Sequence, residues 1–145
     1  MQISLAACVF GLLATLSAWS TADAAVLTYH ARLSGAAMAP PVATGASGGA
    51  TVAANPATKT ISWRVDYMGL SSPAISADIR CVARVGVRAA GIAVQLGRPR
   101  HLRSPIIGAG KLTDAQFTAL ADGRCSVNLA TTTHPAGEIG GRLER

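Results

Sequence analysis

Aromatic side chains are scarce in this chain: two Trp, two Tyr and two Phe among 145 residues. The most basic stretch, GRPRHLR at 97–103, contains none of them. Proteins that hold single-stranded nucleic acid stack its bases on aromatic rings, so a nucleic-acid partner is not expected. Acidic residues are also few, seven against thirteen Lys and Arg. Asp114 and Asp122 stand where a helix would begin and end, and Glu138 adjoins a turn. No two carboxylates are nominated to flank a glycosidic bond. A G-x-S-x-G elbow for a nucleophilic serine is missing. The three histidines, His30, His101 and His134, lack H-x-H or H-E-x-x-H ligand spacing. These absences leave no catalytic residue, metal ligand set or cofactor to expect, and the chain does not read as an enzyme.

Long apolar runs are confined to the N-terminus. MQISLAACVFGLLATLSAWSTADAA joins an apolar stretch to small residues, and Ala22-Asp23-Ala24 fits a small-x-small cleavage site. Residues 1–24 read as a secretory signal peptide and 25–145 as one domain, secreted or periplasmic. No later segment reads as a membrane span. Removing Asp23 with the leader leaves thirteen basic and six acidic residues, a net charge of +7 before the termini are counted. Cys8 leaves too, in an LAAC box that comes too early to follow an apolar segment. Cys81 and Cys125 then remain. Two thiols in an exported domain suggest one disulfide; the alternative is two buried free thiols acting as small apolar groups.

Period-two alternation organises the rest. In TISWRVDYM (60–68), Ile61, Trp63, Val65 and Tyr67 share one face. Asn55-Pro56 makes a turn before it, so the preceding segment pairs with it as a hairpin. VLTYHARL (26–33) reads as the first strand, followed by a long Pro- and Gly-bearing loop. In SADIRCVARVGV (76–87), Ala77, Ile79 and Cys81 fall on one parity with Ile75, Ala83, Val85 and Val87. Asp78, Arg80, Arg84 and Arg88 take the other, and the expectation is that they face water. CSVNLAT (125–131) turns Cys125, Val127 and Leu129 inward, with Ser126, Asn128 and Ala130 outward. Both cysteines are thus assigned to the core independently, which favours the disulfide. One helix is marked over 113–122, with Thr113 and Gln116 as a capping box, Leu112 and Phe117 as a staple, and Gly123 as its end. A short last strand places Ile139 and Leu143 inward.

The segments ARLSGAAMAPPV, GGATVAANPATKTISWRVDYMGLSSPAISADI, GAGKLTDAQFTALADGRCSVNL and THPAGEIGGRL, in this order, resemble the chordin-type (CHRD) domain from about residue 29 to residue 143. The resemblance implies an all-β fold, a secreted antiparallel β-sandwich of immunoglobulin-like shape with one short α-helix. It also implies a binding role, since the best-known animal member sequesters extracellular growth factors. Family members usually read AHIHG where this chain has Ala77–Cys81, and carry a histidine at the position of Ala130. Those histidines would cluster on one sheet face and could hold zinc or copper. Here Asp78, Arg80 and Ala130 replace them, and Arg80 repels a cation.

Charge is the feature left over. No acidic residue occurs from Ile79 through Thr113, while Arg80, Arg84, Arg88, Arg98, Arg100, Arg103 and Lys111 are basic. Arginine forks match phosphate and carboxylate groups, so Arg98, Arg100 and Arg103 are the candidate ligand-binding residues, for a polyanionic surface or an extracellular protein ligand. The competing readings are a metal-binding or superoxide-type redox protein using His30, His101 or His134, and a purely structural envelope protein. A solvated loop is the bland account of the arginines.

Overall fold

The computed structural model describes residues 24–83 and 91–145. Apart from Ala24, the expected leader lies outside the described residues, as do Arg84 and Arg88. The elements are β1 (Leu27–Ser34), β2 (Ser47–Asn55), β3 (Thr60–Met68), β4 (Ala74–Cys81), β5 (Gly91–Gln95), β6 (Ile106–Lys111), α1 (Asp114–Ala121), β7 (Cys125–Thr131) and β8 (Ile139–Arg142). Alternation sets the inward face as expected. Along β3, Ile61, Trp63 and Val65 are buried while Thr60, Ser62, Arg64 and Asp66 are exposed.

All strand pairs are antiparallel, in the single order β5-β4-β7-β8-β1-β2-β3-β6. The immunoglobulin-like division into two sheets is therefore not what the ladder shows. One eight-stranded sheet rolls nearly into a barrel, and β1 joins β8 through the single pair Ser34↔Gly140 with an isolated bridge His30↔Glu144. Trp63 spans toward the far edge, its indole N–H donating to the Leu96 carbonyl just past β5 at 2.9 Å. Tyr29, Leu33, Val52, Val65, Ile79, Val127, Leu129, Ile139 and Leu143 fill the interior. Each such side chain contributes about 1.5–3 kcal/mol when fully buried.

The edge strands β5 and β6 have no counterpart in the alternation reading. IIGAGK carries two glycines, which weaken a strand signal. Their role is steric: Gly108 lies directly opposite Trp63, and a Cβ there would come within 2.6 Å of the indole ring. The indole thus occupies the space that side chains on β6 would take.

The helix forms as its caps dictate. Thr113 Oγ1 accepts the Gln116 N–H at 3.2 Å, and the Thr113 N–H donates to Gln116 Oε1 at 2.9 Å. At the other end Gly123, with φ of 70°, donates to the Leu120 carbonyl, and Arg124 donates to that of Ala119. The helix buries Phe117, Ala119 and Leu120, and Lys59 lies over the Phe117 ring, 4.7 Å from its centroid. Substituting Thr113→Ala removes one acceptor and should cost about 1 kcal/mol, read as a lower urea midpoint with unchanged slope.

Candidate functional site

Three neighbouring strands carry the outward face on which the sequence reading placed Asp78, Arg80 and Ala130. Register puts Arg80, Ser126 and Arg142 in one row across β4, β7 and β8. Asp78, Asn128 and Gly140 form the next, and Ser76 pairs with Ala130 beyond it. The parity is as expected, but the exposure is not. Asp78 is 2 % exposed and Ala130 fully buried. The β1–β2 connection folds over this face, and Met38 packs on Gly140, where a Cβ would meet its sulfur at 2.8 Å. A buried carboxylate needs a partner, and Asp78 has one: Arg80 Nε donates to it at 2.6 Å and Nη2 at 3.4 Å. Arg80, one of the cations expected on the exterior, is spent on the fold.

Glu138 ends the same face and is fully buried. Its Oε1 accepts the Thr44 hydroxyl at 2.7 Å and the Ser71 N–H at 2.9 Å. Its Oε2 accepts the hydroxyls of Ser71 and Thr131, each at 2.8 Å. Burial acts to raise the pKa of this carboxyl, but those four donors outweigh it and hold the group at about 2, against an ordinary 4.5. One side chain thereby clasps the β1–β2 connection, the β3–β4 connection and β7. The sequence reading placed Glu138 beside a turn; the reach to Thr44 and Ser71 carried no sequence signal.

The basic loop between β5 and β6 is fixed from beneath. Leu96 and Leu102 are buried, the Leu96 carbonyl holds the Trp63 N–H, and the Leu102 carbonyl accepts the Tyr67 hydroxyl. Ser104 Oγ accepts the Tyr67 N–H at 3.0 Å, and the His101 N–H closes a turn onto the Arg98 carbonyl at 2.7 Å. Arg98, Arg100, His101 and Arg103 are exposed, and none of the three arginines is in an ion pair among the described residues. Lys111 stands apart on β6, opposite Thr60.

The histidines are scattered. His30 lies exposed on β1, with Nδ1 3.3 Å from Thr51 Oγ1, while His134 sits half-buried in the turn after β7. Among the described residues no group of three or more His, Cys, Asp or Glu is placed to hold a metal ion. Cys81 and Cys125 are opposite each other on β4 and β7 and are joined as a disulfide, with Cα atoms 4.1 Å apart. Both are buried. The expected bridge is present, and it fastens adjacent strands of one sheet.

A family profile described as CHRD domain matches residues 29–143. The chain belongs to the CHRD-domain family. That match spans the clasp at Glu138, the disulfide and the basic loop, and it points to an extracellular, binding type of domain. Neither a curated protein nor a solved structure matches the chain. No helix among the described residues is long and apolar enough to cross a membrane, and the disulfide is compatible with a secreted CHRD-domain protein.

Proposed function

We propose that this CHRD-domain protein is exported through its N-terminal leader, cleaved after Ala24, and acts in the periplasm or outside the cell. There it is a non-catalytic binding domain that takes an anionic partner through Arg98, Arg100 and Arg103. The observation that carries this reading is uncompensated charge on a loop whose backbone is anchored by Leu96, Leu102, Trp63 and Tyr67. A fixed backbone lowers the ordering cost of binding, and guanidinium forks engage phosphate or carboxylate groups in bidentate fashion. Lipopolysaccharide phosphates and acidic polysaccharide are the polyanions available to an exported protein of this kind.

The test is retention on immobilised heparin and on lipopolysaccharide. Arg98→Ala, Arg100→Ala and Arg103→Ala together should lower the eluting salt concentration on both, because ion pairing at an exposed site is screened by salt. The melting temperature should not move, since all three side chains are exposed. Elution of the triple variant at the wild-type salt concentration overturns the proposal.

A further inference from the structure

The outer face of β4, β7 and β8 holds a second basic feature, at a different place from the loop. A cleft of about 540 Å³ opens there beside the β1–β2 connection, within the size range of small-molecule sites. Its floor is the row Arg80, Ser126 and Arg142. Side chains directly opposite on antiparallel strands have Cβ atoms about 4.5–5.5 Å apart, so Arg80 and Arg142 stand on either side of Ser126. Met38 and Val82 supply an apolar wall.

Charge counting fixes what such a cleft accepts. Arg80 is neutralised by Asp78. Arg124, at one end, is paired with Asp122 at 2.9 Å and also donates to the carbonyls of Val82 and Ala83. Arg142 is exposed and in no ion pair among the described residues. The cleft therefore carries about one uncompensated positive charge, which suits a monoanion better than a dianion. Asn128 also lines the cleft, is 5 % exposed, and its amide Nδ2 has no hydrogen-bond partner among the described residues. A buried donor without an acceptor is costly, and an acceptor brought in by a ligand removes that cost.

The geometry points to a binding site for a small organic monocarboxylate. Arg142 holds its carboxylate together with the Ser126 hydroxyl and the Asn128 amide, and its apolar tail lies against Met38 and Val82. Isothermal titration of the purified protein with octanoate, octyl phosphate and 1-octanol tests this. Octanoate should bind saturably at one site, and 1-octanol at least about tenfold more weakly, the worth of a charge-assisted hydrogen bond. Arg142→Gln should weaken octanoate by at least about tenfold, with the melting temperature unchanged. Ser126→Ala should weaken it less. The triple variant at Arg98, Arg100 and Arg103 should bind octanoate like wild type, which separates this site from the loop. Absence of saturable octanoate binding, equal affinity for 1-octanol, or full affinity in Arg142→Gln each overturns the site. Tighter binding of octyl phosphate overturns the monocarboxylate assignment.

Discussion

Replacing both Cys81 and Cys125 by alanine should lower the stability of the protein by about 4 kcal/mol, the loop-closure entropy for a bridge spanning a sequence separation of 44. For a domain of this length that corresponds to roughly 10–15 °C in melting temperature. The change acts mainly on the unfolded chain, so the native structure should survive it. Arg124 still donates to the Val82 and Ala83 carbonyls, and the Val82 N–H still reaches the Arg124 carbonyl at 3.0 Å. Those contacts tie the same end of β4 to β7 without the sulfur atoms. Dithiothreitol should reproduce the loss in the wild type and leave the double variant unaffected. A difference below about 1 kcal/mol between oxidised wild type and the double variant, against the 2–4 kcal/mol typical of native bridges, would show that the bridge constrains little.

That bridge was legible because each cysteine shares parity with apolar neighbours on its own strand, and two inward sulfurs in one small core have few places to go. The helix was legible for a local reason as well, since its caps lie within five residues of what they satisfy. Non-local facts were not. Alternation assigns Asp78 and Ala130 to a face but says nothing about what lies on that face. The segment that folds over part of that face, SGAAMAPPV, reads as an ordinary loop, and its one signal is Met38, the only long flexible apolar side chain among small residues and prolines. Partner choice is equally invisible to periodicity; the expectation of two packed sheets came from the family resemblance, and the ladder is one continuous sheet rolled on itself. The β6 strand escaped because its glycines exist for Trp63, forty-five residues earlier. For the basic loop, composition located Arg98, Arg100 and Arg103, and only coordinates show the leucine anchors beneath them.

Glu138 gives the largest expected pH effect. Its carboxyl sits at about 2 in the folded protein against an ordinary 4.5. A depressed folded value means that the stabilisation is complete above pH 4.5 and is lost as pH falls from 4.5 toward 2. Glu138→Ala should cost about 4 kcal/mol at neutral pH, because three hydroxyls and one N–H lose a shared acceptor in the interior. Glu138→Gln should cost only about 1–2 kcal/mol: its amide oxygen keeps Thr44 and the Ser71 N–H, while the hydroxyls of Ser71 and Thr131 turn to accept from its NH₂. The two variants therefore separate the charge from the hydrogen-bonding role. In urea titrations across this acid range, Glu138→Gln should show a slope against pH flatter than wild type by up to one proton, about 1.4 kcal/mol per pH unit, and the two stabilities should cross between about pH 3 and 4. If Glu138→Gln follows the wild-type acid slope, the acid sensitivity belongs to other carboxylates and the clasp works through packing alone.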